Sequence, residues 1–224
     1  PVHAEWVNTN GTWNYVREDG QKATNWLKIE NCWYAFDETG KMKTGWIASN
    51  EHWYFLGSSG VMQTNTWVDD GNYFIKGTGV MAKNYIKDGY ELQSNGQAVK
   101  LEDTKSMVLT NSGLEAGTVV EGNLYVNATA AKEIELKGIE VKGKLVVLGD
   151  NVSETKISLI DTKVSEISSQ QRNTEIVLSG ETVVDAIVLE ETANILPDKD
   201  YKGIVNTFEV QSTTKGEIKI EVPT

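Results

Sequence analysis

Thr44-Gly45-Trp46-Ile47-Ala48-Ser49-Asn50-Glu51-His52-Trp53-Tyr54-Phe55-Leu56 is the stretch whose reading decides the fold. Trp46-Ile47-Ala48 reads as a strand, Ser49-Asn50-Glu51 as a turn, and His52-Trp53-Tyr54-Phe55-Leu56 as the returning strand. Aromatic side chains favour strands because their rings cover a pleated surface. Gly57-Ser58-Ser59-Gly60 then ends the ladder, with Gly60 free to take the positive φ that a Cβ penalises. One two-stranded hairpin is marginal in water, so this unit needs neighbours to pack on.

The neighbours are written in the same chain. Trp6, Trp26, Trp46 and Trp67 recur at spacings of 20, 20 and 21, and Tyr85 follows 18 later. Seven residues after each of the first three stands a second tryptophan, Trp13, Trp33 and Trp53; Tyr73 and Tyr90 read as its weaker substitutes in the next two lines. Each line closes on a glycine (Gly20, Gly40, Gly60, Gly79, Gly96), and a methionine stands two residues after the middle three (Met42, Met62, Met81). Hairpins repeated at this period stack into a solenoid, and residues 85–100, which lack tryptophan, read as its terminal cap.

The pattern stops near residue 100. Sixteen of the 19 aromatic residues precede it, and the formal charge is −2 over residues 1–100 against −9 over 101–224. One core does not segregate its aromatics so completely, so two domains are expected, 1–100 and 101–224, joined around 99–106.

The second half repeats differently, in short Val-, Ile-, Leu- and Thr-rich runs bounded by Gly, Asp, Asn and Ser. Gly122-Asn123-Leu124-Tyr125-Val126 aligns with residues 143–147, 165–169 and 185–189, at steps of 21, 22 and 20. A second series is 133–136, 156–159 and 175–178, and a third is 139–141, 162–164 and 182–184. Three short strands per turn of about 21 residues is the signature of a parallel β-helix, in which each coil lies ~4.8 Å above the last and equivalent residues stack. The expected fold class is therefore all-β: a solenoid of stacked β-hairpin repeats followed by a short right-handed parallel β-helix of about four turns. The tail from Tyr201, with Phe208-Glu209-Val210 and Ile218-Lys219-Ile220, reads as strands capping the open end. A β-sandwich is the competing fold.

The line from Thr44 to Phe55, followed by Gly60-Val61-Met62-Gln63-Thr64, strongly resembles the cell-wall-binding repeat of choline-binding proteins, and five consecutive copies cover roughly residues 1–100. Related repeats occur in glucan-binding regions of glucosyltransferases and receptor-binding regions of clostridial toxins. The second half resembles, more weakly, short solenoid segments of Gram-positive surface proteins. The first resemblance implies ligand sites between neighbouring hairpins. Each site combines the two tryptophans of one repeat with the aromatic two places after the second tryptophan of the next, often with a methionine nearby. Rings arranged in this way hold a quaternary ammonium by cation–π attraction. Carried over, Trp26 and Trp33 take Phe55, with Met62 nearby, as a complete set. Trp6 and Trp13 meet Ala35, Trp46 and Trp53 meet Ile75, and Trp67 and Tyr73 meet Leu92, so three sets lack a wall. An incomplete cage still offers one or two stacking platforms to a sugar. The plain alternative is that these rings only glue the hairpins together.

Other functions are excluded or unsupported by the composition. The net charge of −11 opposes nucleic-acid binding. No run approaches the ~20 apolar residues of a membrane span. One cysteine, Cys32, forms no internal disulfide, and two histidines, His3 and His52, make no three-histidine zinc site. Glu133, Glu135, Glu140, Glu154, Glu166 and Glu175 alternate with aliphatics and read as a solvated outer face; Asp198 and Asp200 lack further calcium ligands, and Arg172 is the only arginine of this half. No catalytic residue, metal or cofactor is assigned. The opening residues lack the charged start and apolar core of an export signal, and the chain reads as part of a longer one with any such signal removed.

The resemblance thus implies a non-enzymatic, secreted, cell-wall-associated protein of a Gram-positive bacterium, whose repeats bind choline or another teichoic-acid or wall glycan. Two alternatives stand beside it: the targeting region of a larger wall- or polysaccharide-acting enzyme, and an adhesin or toxin-like binder of host carbohydrate.

Overall fold

A computed structural model describes residues 3–109, 113–150, 152–211 and 219–221. It divides into two compact units, Pro1–Lys87 with Leu92–Ala98, and Asp88–Glu91 with Val99–Thr224. The boundary is interleaved through residues 88–99, ahead of the single junction expected at 99–106.

The first unit is built from antiparallel hairpins. β1 (Glu5–Thr9) pairs with β2 (Thr12–Val16), β3 (Asn25–Ile29) with β4 (Cys32–Phe36), β5 (Gly45–Ser49) with β6 (His52–Leu56), and β7 (Thr66–Val68) with β8 (Tyr73–Ile75). In the first three the strands are joined by two residues, and both have positive φ: Asn10-Gly11, Glu30-Asn31 and Asn50-Glu51. That is the primed turn whose twist matches the twist of the strands. Ser49, expected in a turn, pairs with His52 instead.

The fourth hairpin is two residues shorter. Trp46 lies opposite Phe55, whereas Trp67 lies opposite Phe74, and Asp69, Asp70 and Gly71 take left-handed conformations in the loop. β9 (Tyr85–Lys87), β10 (Tyr90–Leu92) and β11 (Ala98–Lys100) follow.

Successive hairpins are fastened by a repeated backbone bond. The amides of Met42, Met62, Met81 and Ala98 donate to the carbonyls of Trp13, Trp33, Trp53 and Asn72, each at 2.8 Å. This series fixes the equivalence of the repeats: Asn72, not Tyr73, stands where the other hairpins carry their second tryptophan. Gly60, at φ +81°, packs where an added Cβ would run into Met42 Sδ. The glycine ending one line thus receives the methionine of the line before.

The second unit contains a parallel solenoid of about five turns. After a 3₁₀ turn (Leu101–Asp103), β12 (Met107–Leu109), β14 (Leu124–Asn127), β16 (Glu140–Leu148), β18 (Lys163–Ser169), β20 (Val183–Leu189) and β22 (Ile204–Val210) stack in parallel, with β13 (Val119–Val120) on the start of β16. The second ladder runs β15 (Glu133–Lys137), β17 (Thr155–Ile160), β19 (Thr174–Ser179), β21 (Ala193–Pro197) and β23 (Lys219–Ile220).

Three aliphatic stacks follow from the register: Leu124, Leu145, Ile167, Ile187 and Phe208; Val120, Val141, Val164, Val184 and Val205; Ile134, Ile157, Ile176 and Ile195. The aliphatic members are essentially sealed from solvent and form one continuous core. Buried threonines secure the corners, Thr162 Oγ1 donating to the Leu136 carbonyl and Thr182 Oγ1 to that of Leu159, both at 3.0 Å. Outside, Glu121, Glu140, Glu166 and Glu175 pair with Lys142, Lys163, Lys144 and Lys156 at 2.7–3.9 Å.

The parallel ladders are those of the expected β-helix and not of the competing sandwich. The segment with Phe208, expected to cover the open end, is built as a further rung: β22 pairs in register with β20, and Phe208 stacks on Ile187 as the next step of the core. Residue 218 of the expected second capping strand lies outside the described residues, and β23 is likewise a parallel rung on β21.

Candidate functional site

The pleat decides where each aromatic points. In β5–β6, Trp46 is opposite Phe55 and Ala48 is opposite Trp53, so these four share one face; Ile47 and Tyr54 share the other. Consecutive hairpins meet through opposite faces. The residue one place after the second tryptophan therefore reaches back to the previous hairpin, while the residue two places after it faces forward with its own tryptophans.

The ring contacts follow this rule. Trp6 meets Tyr34 of the next hairpin at 4.9 Å, Trp26 meets Tyr54 at 5.3 Å and Trp46 meets Tyr73 at 5.1 Å, all edge to face. Phe55 instead lies 5.1 Å from Trp46 within its own hairpin and packs beside the core of Val68, Ile75 and Met81. The ring that contacts Trp26 across the seam from the next hairpin is thus Tyr54 and not Phe55. At Trp6 and Trp46, where the carried pattern meets Ala35 and Ile75, the contacting rings are Tyr34 and Tyr73.

In each seam the first tryptophan is half-buried and the second is open. Trp13, Trp33 and Trp53 are 44%, 42% and 47% exposed, although each sits on a regular strand. Trp6 and Trp13 cross nearly at right angles with centroids 6.3 Å apart, and Trp46 and Trp53 do the same at 6.4 Å. Such crossed rings present one face and one edge to a shared space, a geometry that suits a compact cation or the flat side of a sugar. Met62, the methionine expected near Trp33, reaches it through the amide–carbonyl bond at 2.8 Å. Met42 packs in the cluster of Trp6 and Tyr34.

The Tyr34 phenol is raised above its ordinary pKa, by burial first, with Cys32 and Glu30 adding to it. A quaternary ammonium is attracted by the ring quadrupole at such a π-face. Beside the third seam, Asp37, Lys41, Met42, Lys43, Thr44, Trp46 and Trp53 line an open groove of about 590 Å³. The Asp37 carboxylate is committed to its own turn, accepting from the Thr39 amide and hydroxyl and the Lys41 amide at 2.7–3.0 Å. Of the side chains weighed for a catalytic or calcium role, Arg172 Nε binds Glu191 at 3.0 Å, and Asp198 accepts from the Lys199 amide at 2.6 Å.

The tyrosine contacts were missed by sequence reasoning. Alternation along His52–Leu56 carried the signal, because Tyr54 falls on the face opposite Trp53 and Phe55 does not.

The family model of the choline-binding repeat matches residues 26–67, a span that includes the Trp26 seam entire. Choline binding protein F from Streptococcus pneumoniae, solved in the presence of a peptidoglycan analogue, is 34% identical over 42% of this chain and 34% of its own, with a TM-score of 0.39. The choline binding domain of Spr1274 from the same species is 32% identical over 35% of this chain and 93% of its own, with a TM-score of 0.32. A multimodular pneumococcal cell wall endolysin from phage Cp-1, complexed with choline, is 29% identical over 43% of this chain and 30% of its own, with a TM-score of 0.39. The chain spans about a third of the length of choline binding protein F. Among curated proteins none matches. The sequence match, rather than the superposition, carries the assignment: residues 26–67 of this chain match the choline-binding repeat family.

Proposed function

We propose that the first unit attaches its protein to choline-bearing polymers of a bacterial cell wall, each of the three seams accepting one trimethylammonium group. The observation that supports this most is the repetition of one arrangement at Trp6-Trp13-Tyr34, Trp26-Trp33-Tyr54 and Trp46-Trp53-Tyr73. A single exposed cation–π contact is worth about 0.5–1 kcal/mol, and three rings around one desolvated cation give several such contacts. Sites repeated along one chain engage a polymer together, and the second capture is intramolecular, so avidity exceeds the affinity of one seam.

The protein is read as non-enzymatic, secreted and wall-associated, with the solenoid as a spacer or display module. Its inward residues are committed to the aliphatic stacks, and outward acids pair with lysines of neighbouring rungs. The part tested by experiment is the binding. The chain should be retained on choline-substituted resin and on choline-containing wall material, and be released by free choline. Trp33→Ala should weaken retention more than Trp67→Ala, because Trp67 is not followed by a second tryptophan. Equal retention of the two variants would remove the assigned seam. Binding on a glycan array without retention by choline would favour carbohydrate stacking on the open indoles of Trp13, Trp33 and Trp53.

A further inference from the structure

The fourth hairpin departs from the other three in a way that has its own chemistry. Asn72 occupies the place of Trp13, Trp33 and Trp53, as the bond from the Ala98 amide to the Asn72 carbonyl establishes. Trp67 and Phe74 still face each other across the strands, with centroids 5.3 Å apart. Over these rings the chain supplies cations: Lys87 Nζ stands 5.2 Å from the centroid of Phe74, and Lys76 Nζ stands 5.1 Å from that of Tyr85. Both distances are within the ~6 Å at which an ammonium is attracted to a π-face. Phe74, Leu92 and Ala82 form the core beneath, with Trp67 and Tyr85 packed on it.

We propose that Lys87, assisted by Lys76, is a resident cation of the fourth seam, a covalently attached stand-in for the ammonium that the first three seams take from outside. This rests on the choline reading for the first three seams and adds a limit to it: the array has three ligand sites, and the fourth hairpin is closed from within. A tethered cation is present at far higher local concentration than a free ligand, so it excludes an external ammonium from the same ring. The closed seam also gives the last tryptophan of the array a fixed neighbour.

Two measurements on the full chain test this. The first is independent of choline: the Lys87 ε-methylene protons should resonate upfield of an exposed lysine because the Phe74 ring current shields them, and Phe74→Leu should abolish the shift. An unshifted Lys87 overturns the proposal. The second is the number of choline molecules bound at saturation by calorimetric titration. The chain and Asn72→Trp should each bind three, and Asn72→Trp combined with Lys87→Met should bind four. Four sites in the unaltered chain or in Asn72→Trp alone, or three in the double variant, would overturn it. If no variant binds choline while the Lys87 shift and its loss in Phe74→Leu are seen, the choline reading fails and the resident cation stands.

Discussion

Trp26 and Tyr54 belong to successive hairpins, yet their rings meet edge to face at 5.3 Å with planes inclined by 65°. Phe55, one residue further on, turns to the other face and contacts Trp46 at 5.1 Å. Adjacent residues of one strand therefore serve two different seams, and substitution separates them.

Tyr54→Ala should weaken choline binding at the Trp26 seam by about 0.5–2 kcal/mol, or about 2- to 30-fold, with little loss of fold. Phe55→Ala removes a half-buried ring from the packing around Val68, Ile75 and Met81, so it should lower the unfolding midpoint more than Tyr54→Ala does. Tryptophan fluorescence titration and urea melts of both variants check the pair. A larger affinity loss in Phe55→Ala at the Trp26 seam would return the wall to the position first expected.

That first expectation shows what the sequence carried. The solenoid was legible to the register: Leu124, Leu145, Ile167 and Ile187 align in the sequence as they stack in space, because a narrow interior accepts only aliphatics and each turn repeats the demand. The seams were legible as tryptophan pairs but not in their third wall. Period-two alternation moves a side chain to the opposite face with each residue, so an offset of one in the carried pattern selects the wrong neighbour. Hairpin four was misread because its loop is shorter, which brings a tyrosine near the expected place of a tryptophan that Asn72 has replaced. The tail from Tyr201 reads as cover for an open end because exposed strand edges need it, while the register makes Phe208 the next step of the stack beside Ile187.

Two glycines at positive φ, one in a hairpin loop and one ending a repeat, should differ in sensitivity. Gly71, at φ +82° with no atom near an added Cβ, should lose about 1–2 kcal/mol on substitution by alanine, from backbone strain alone. Gly60→Ala meets Met42 Sδ as well, and overpacking of that kind costs about 1–3 kcal/mol more. Chemical denaturation of the two variants measures the difference; equal losses would mean that the methionine yields freely.

In the solenoid, Ile167→Ala leaves a cavity in the middle of the stack and should cost about 2–5 kcal/mol. Lys156→Ala removes an exposed pair with Glu175 at 3.9 Å and should cost less than about 1 kcal/mol. Urea melts followed by circular dichroism in the strand region compare them.

Alkaline stability should report on Tyr125. Its hydroxyl is buried and donates to Glu91 Oε1 at 2.8 Å, while Ser106 Oγ and Asn123 Nδ2 donate to the same oxygen at 3.0 and 2.9 Å. Burial first, then the Glu91 carboxylate, raises the Tyr125 pKa far above its ordinary value of 10.0. The folded state therefore holds a proton that the unfolded state releases as the pH passes 10, so this contribution is complete below pH 10 and is lost progressively above it. Urea midpoints between pH 8 and 11 should fall more steeply for the unaltered chain than for Tyr125→Phe. Parallel curves would contradict the assignment.

The seams themselves are tested most directly by a crystal structure of the chain grown with choline. The account predicts one trimethylammonium group in each of three places, between Trp6, Trp13 and Tyr34, between Trp26, Trp33 and Tyr54, and between Trp46, Trp53 and Tyr73, with its methyl groups against the ring faces. Choline absent from all three at saturating concentration, or bound away from these rings, would contradict it.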